Sequence, residues 1–162
     1  MAEEGYTSLT SLFEHEIAVN EEIKQNSVSM IVDNQYAKAF LFAGNCHCSI
    51  ENMKTGNRFS YTIQRDKKQN NMYYVNSITE SGETYCGYFY ENCGGIDYRQ
   101  GKKGALGKDN IRIKALIYVL EHINYLNKNI IIEHDGRCAC CGSTLEDTNS
   151  FKKGLCPMCC GV

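Results

Sequence analysis

No apolar run in this chain approaches the roughly 18 residues that a membrane-spanning helix needs. The first residues, Met1-Ala2-Glu3-Glu4-Gly5, carry neither a basic region nor an apolar stretch, so they do not read as a secretory signal. Proline is nearly missing, with Pro157 the only one. Low-complexity linkers and internal repeats are absent, apart from two cysteine turns near the C-terminus. No Ser–His–Asp or Cys–His constellation can be assembled from the spacing, and the N-terminal glutamates read as solvated, so nothing argues for catalysis. At 162 residues the chain is expected to be one domain, or one domain with a small appendage.

Cysteine, in contrast, is abundant. There are ten, and six of them fall in residues 138–162. The C-terminal stretch reads His134-Asp135-Gly136-Arg137-Cys138-Ala139-Cys140-Cys141-Gly142, then Cys156-Pro157-Met158-Cys159-Cys160-Gly161. A C-x-x-C turn places two sulfurs on one side of a tight loop, and two such turns supply the four corners of a tetrahedral zinc site. Gly142 and Gly161 let the backbone turn under the metal, and Pro157 stiffens the second turn. The expected ligands are Cys138, Cys141, Cys156 and Cys159, with His134 as an alternative to Cys156. Cys140 and Cys160 are spare. Four protein ligands leave no position for water, so the expected Zn2+ is structural. A disulfide framework would need an oxidising compartment, and a redox pair would need a single C-x-x-C opening a helix after a strand. Free thiols in this number point to a reducing interior, so the expected location is the cytoplasm.

A second group, Cys46-His47-Cys48 with Cys86 and Cys93, lacks knuckle spacing. It is read first as small buried residues and second as another metal site. Gly101 to Lys108 superficially resembles a phosphate loop, but five residues separate its outer glycines and Asp109 follows the lysine. Charge is uneven. Residues 1–22 hold six glutamates and no lysine or arginine, whereas Arg99, Lys102, Lys103, Lys108, Arg112 and Lys114 face only Asp109 over residues 99–114. These six basic residues are the candidate nucleic-acid or partner surface. Tyr73, Tyr74, Tyr85, Tyr88 and Tyr90 fall on adjacent expected strands. Such tyrosines are either half-buried sheet residues or bases' stacking partners.

Periodicity predicts a helix over residues 8–24, with Leu9, Leu12, Phe13 and Ile17 on one stripe. Strands are expected from Phe40 to about Ile50, over Arg58–Arg65, Met72–Ile78 and Tyr85–Tyr90. Residues 91–109 read as glycine-rich and irregular. A helix from Ile111 to about Leu126 follows, with Leu116, Val119, Leu120 and Ile123 as its buried stripe. Ile130–Glu133 is a short strand entering the cysteine tail. The expected fold is α+β: an antiparallel sheet of about four strands with a packed helix, an N-terminal helical segment (1–36), an α+β core (37–133) and a zinc-knuckle tail (134–162).

The tail also resembles that of a family of uncharacterised proteins encoded by phages and prophages. Its pattern is approximately H-x-G-R-C-x-x-C-G-x-x-L followed by S-I-x-x-G-x-G-P-x-C. Here it is met by His134, Gly136, Arg137, Cys138, Cys141, Gly142 and Leu145, then by Ser150, Gly154, Pro157 and Cys159. Upstream, Phe42-Ala43-Gly44-Asn45 and Thr55-Gly56-Asn57-Arg58-Phe59-Ser60-Tyr61 are similar to a hairpin in such proteins. The chain departs from the pattern at Phe151 and at Cys156, which replaces a glycine. The family pattern implies His134 as the fourth ligand. In this chain Cys156 competes with it and is favoured, because thiolates of a C-P-x-C turn are better placed. The resemblance implies a phage origin and no known activity. The leading functional expectation is a non-enzymatic binding module for nucleic acid or a nucleoprotein. The alternative is a counter-defence inhibitor of a host protein, such as a CRISPR effector or a defence nuclease.

Overall fold

The computed structural model describes residues 30–92, 95–102 and 106–160. The helix expected over residues 8–24 lies outside the described residues, as do Cys93 and Lys103. Seven strands form one sheet: β1 (Ile31–Val32), β2 (Asn45–Asn52), β3 (Asn57–Arg65), β4 (Met72–Thr79), β5 (Gly82–Asn92), β6 (Gly95–Gln100) and β7 (Ile130–His134). Their order is β1-β7-β2-β3-β4-β5-β6, and every pair is antiparallel. The described helices are α1 (Ala37–Leu41), α2 (Ile111–Glu121), α3 (Thr148–Lys153) and α4 (Pro157–Cys160).

This corrects the expected four-stranded sheet with a packed helix. The described residues are mostly a seven-stranded antiparallel sheet, and the helices among them are few and short, with α2 the longest at 11 residues. Three local effects account for the difference. Residues 95–100 lie in the glycine-rich stretch that reads as irregular, yet they form β6 by pairing with β5, with Tyr98 opposite Phe89. The two residues of β1 are too few to show alternation, and they pair with β7 at the far edge. Phe40 and Leu41 lie in α1 rather than in a strand, and β2 begins after Gly44, whose φ of 117° breaks the chain direction.

Hairpin turns follow local chemistry. Asn52 accepts the Lys54 N–H through its side chain at 2.9 Å, and Gly56, at φ 80°, donates its own N–H to the Asn52 carbonyl. Asp66 accepts the N–H groups of Lys68 and Gln69, both at 2.9 Å, and the Tyr74 hydroxyl at 2.6 Å. These three bonds, the tyrosine's first, hold the Asp66 carboxyl below its ordinary pKa.

Side chains alternate across the sheet. On one face Cys46, Ile50, Tyr61, Ile63, Val75 and Phe89 are buried, and α2 covers them with Ile113, Leu116, Val119 and Leu120. Each such aliphatic or aromatic side chain contributes about 1.5–3 kcal/mol on burial. Tyr61 donates its hydroxyl to the Arg112 carbonyl at 2.6 Å, which ties α2 to β3. Tyr98 does the same for the β6–α2 loop at the Leu106 carbonyl, also at 2.6 Å. A register shift at Val75/Asn76 turns both Cys86 and Gly87 of β5 inward. A Cβ at Gly87 would fall 2.3 Å from the Arg99 carbonyl oxygen, so only glycine fits there.

The C-terminal tail packs on α1 and the β1 edge. Backbone bonds from Asp33 N–H to the Lys152 carbonyl and from Asn45 N–H to the Ala139 carbonyl join it to the sheet, and Ala139 N–H to the Gly154 carbonyl ties its two halves together. Gly154 is the tightest point. It ends α3 in the left-handed region at φ 68°, and a Cβ there would lie 2.2 Å from the buried Phe40 ring. Gly154→Ala is therefore expected to destabilise the fold by about 2–4 kcal/mol, combining left-handed strain with overpacking. Denaturant unfolding measures it, and a change below about 0.5 kcal/mol would show that the tail does not bear on α1.

Candidate metal centre and the open sheet face

The first cysteine turn is a narrow hairpin. Leu145 N–H reaches the Gly136 carbonyl, Cys138 N–H reaches the Ser143 carbonyl, and Gly142 N–H reaches the Cys138 carbonyl, all at 2.8–2.9 Å. Gly142, at φ 79°, makes the reversal possible. The second turn is set by α3. Asp147 caps this helix by accepting the Ser150 N–H at 3.2 Å and the Ser150 hydroxyl at 2.6 Å. The chain then buries Leu155 and Cys156 and enters α4 at Pro157, where a missing N–H costs no bond. Cys159 N–H closes the turn on the Cys156 carbonyl at 3.1 Å.

These two turns bring the Sγ atoms of Cys138, Cys141, Cys156 and Cys159 within 4.8 Å of one another. Four cysteines in this arrangement could hold a metal ion. Sulfurs of a ZnS4 tetrahedron stand about 3.8 Å apart, and Cys141 and Cys156 are at 3.6 Å. The Cys140 N–H also points at the Cys138 sulfur, at 3.4 Å, as a donor to a thiolate does. Cys46, Cys48 and Cys86 join no such group among the described residues. They are buried in the sheet, and desolvation pushes the thiols of Cys46 and Cys86 upward, which keeps them protonated.

The four tail sulfurs are electrostatically unequal. Hydrogen bonds from the Ser143 side chain and backbone, and from Cys156, bring Cys141 down to about 6. The Cys159 N–H lowers Cys156 in the same way. Burial and the neighbouring sulfurs push Cys159 up. Without a cation, therefore, the cluster does not ionise as a whole. A divalent ion reverses the balance and takes all four as thiolates. Ser143 went unnoticed in the sequence. A small hydroxyl residue two positions after Cys141 is the signal that marks it.

His134 is engaged elsewhere. Its Nδ1 accepts the Gly136 N–H at 2.9 Å, so the Nε2 nitrogen carries the proton and donates it to the Phe151 carbonyl, also at 2.9 Å. Both ring nitrogens are used, the ring is buried beside Phe40 and Phe151, and desolvation lowers its pKa. It clasps the two cysteine turns together rather than joining the sulfurs. Because the folded form binds fewer protons than the unfolded chain, its contribution to stability is full above about pH 6.5 and is lost as the pH falls through the lowered folded value.

The basic residues do not share one surface. Arg99 lies on β6 on the face opposite α2, bonded to Asp97 at 3.0 Å and 5.6 Å from the centre of the Tyr90 ring. Arg112 and Lys114 lie on α2. The Arg112 guanidinium sits 5.3 Å from the centre of the Phe59 ring. Lys102 and Lys108 are exposed in the connecting loop. The tyrosines divide as well. Tyr73 is buried against Phe89, stacked at 5.1 Å. Tyr74, Tyr85, Tyr88 and Tyr90 occupy the face opposite α2, with Tyr74 and Tyr85 6.5 Å apart and Tyr88 and Tyr90 5.8 Å apart. Among the described residues no helix is long and apolar enough to cross a membrane.

No family model, curated protein or solved structure matches the chain.

Two variants separate ligand from clasp. Cys156→Ser is expected to abolish stoichiometric metal binding. His134→Ala is expected to keep the metal at one per chain while losing about 2–4 kcal/mol of stability, because the Gly136 N–H and the Phe151 carbonyl lose their partners. Loss of metal in the His134 variant would make the histidine a ligand. In metal-free protein, alkylation at Cys141 is expected to rise with pH through about 6, ahead of Cys159. Measurement is by mass spectrometry of the labelled peptides.

Proposed function

We propose that this chain is a non-enzymatic binding module, held together at its C-terminus by a structural zinc ion, that engages single-stranded nucleic acid on its open sheet face. The observation that carries the reading is the row Tyr74, Tyr85, Tyr88 and Tyr90 on the sheet face opposite α2, which no helix covers among the described residues, with the Arg99 guanidinium beside Tyr90. Aromatic rings on an open antiparallel sheet offer stacking platforms to bases, and arginine adds cation–π attraction and phosphate contact. Lys102 and Lys108 follow Arg99 in the adjoining loop, where they extend the positive charge beyond the sheet edge.

Zinc is favoured over other divalent ions by the donor set. Four cysteines in two tight turns suit a closed tetrahedral site. Four sulfurs fill the coordination sphere, which supports a scaffolding role and leaves the chemistry of recognition to the sheet. The resemblance to phage-encoded proteins belongs to this same proposal, in which binding takes place in an infected cell.

Fluorescence anisotropy with a labelled single-stranded oligonucleotide tests it. Affinity is expected to fall steeply as salt rises. The double variant Tyr88→Ala/Tyr90→Ala is expected to weaken binding about 10-fold or more, at about 1–3 kcal/mol per stacked base. Arg112→Ala, on the other side of the sheet, is expected to leave it nearly unchanged. Absence of binding to both DNA and RNA, or binding insensitive to salt and to the tyrosines, overturns the reading. A stoichiometric host protein on the same face would favour the counter-defence alternative.

A further inference from the structure

A second feature of the molecule lies away from both the cysteine cluster and the tyrosine face. Where α2 crosses the β2–β3 hairpin, a cavity of about 250 Å³ opens between them. Its floor is apolar: Ile50, Phe59, Val119 and Ile130. Its rim on the helix side is Ile111 and Tyr118, two of the large apolar residues that remain substantially exposed, at 53 % and 45 %. Ile111, Lys114, Ala115 and Tyr118 are spaced i, i+3, i+4 and i+7, so they form a stripe along α2 separate from the buried stripe of Ile113, Leu116, Val119 and Leu120. The two rim residues stand roughly 10 Å apart along the helix, which sets the length of the groove.

The one ionic group in the lining is Lys114. It is exposed at the mouth, and no ion pair among the described residues takes it up. The hairpin side supplies neutral polar groups, Asn52, Thr55 and Asn57. A concave apolar floor with a few converging polar groups is the usual form of a small-molecule site. A single unpaired ammonium at its edge selects the charge of what enters.

We propose that this cavity binds a small amphipathic carboxylate, with its apolar chain along the groove between α2 and the β2–β3 hairpin and its carboxylate on the Lys114 ammonium. The groove length suits a medium-chain fatty acid. The cavity is too small to enclose a folded partner, and the backbone of an extended peptide would lose its water over the apolar floor of Ile50, Phe59, Val119 and Ile130.

Titration of the full chain with octanoate, followed by amide chemical shifts, tests this. Shifts are expected to concentrate on residues 50–59 and 111–119, and octanol is expected to bind about twofold to fivefold more weakly, through loss of a partly screened ion pair. Lys114 is exposed, so Lys114→Gln folds normally. It is expected to weaken octanoate by the same factor and leave octanol unchanged. Ala115→Trp, which fills the groove, is expected to remove both. Equal affinity for octanoate and octanol in the wild-type chain overturns the proposal, as does an octanoate affinity that ignores Lys114→Gln. Absence of shifts at the groove overturns it too, as would follow if another part of this chain or a second copy already fills it.

Discussion

Four sulfurs held within 4.8 Å of one another constrain everything C-terminal to the sheet. Left alone they cannot all carry charge, and the fold shows the conflict: Ser143 and backbone donors pull Cys141 toward ionisation while burial pushes Cys159 away from it. A cation at their centre would turn this mutual repulsion into a bond that closes the tail. Such a bond would add to a small core, because residues 135–160 hold only a few buried apolar side chains of their own, among them Leu145 and Leu155, and borrow the rest from α1. Metal affinity is then folding free energy.

The tail in turn supports the sheet. Backbone bonds run from Gly154 through Ala139 to Asn45 at the start of β2, and from Lys152 to Asp33 beside β1. His134 sits at the end of β7 and bonds both cysteine turns. The cysteine cluster therefore braces the β1–β7–β2 edge, while the opposite edge, β5–β6, carries Arg99 and three of the four outward tyrosines lie on β5. Bracing and proposed recognition occupy different ends of one sheet. α2 and the α1 segment with Phe42 lie against one face of the sheet, and among the described residues no helix lies over the other, where the tyrosines stand.

The sequence was legible where chemistry is local. Cysteine spacing identifies the four residues that the fold brings together, because a C-x-x-C turn is a short-range object. The long alternating runs Asn57–Arg65 and Met72–Thr79 read as strands for the same reason. Legibility failed where tertiary pairing decides. Residues 95–100 lack a strong pattern, and β6 exists because β5 offers an edge and Gly87 lets Tyr98 lie over it. Phe40-Leu41-Phe42 is a run of large apolar residues that fits a buried strand or a buried helix turn equally, and Gly154 resolved it by receiving the Phe40 ring. The role of His134 was also hidden. A histidine four residues before a cysteine turn looks like a ligand until its two hydrogen bonds are seen. The division of the basic segment between a strand and α2 was invisible, since proximity in sequence says nothing about which side of the sheet each residue reaches.

The most direct test of the central claim is X-ray absorption at the zinc edge of the purified chain. The account predicts one zinc per chain with a first shell of four sulfurs at about 2.3 Å. A nitrogen or oxygen scatterer in that shell, or tail cysteines joined as disulfides with no metal present, would contradict it.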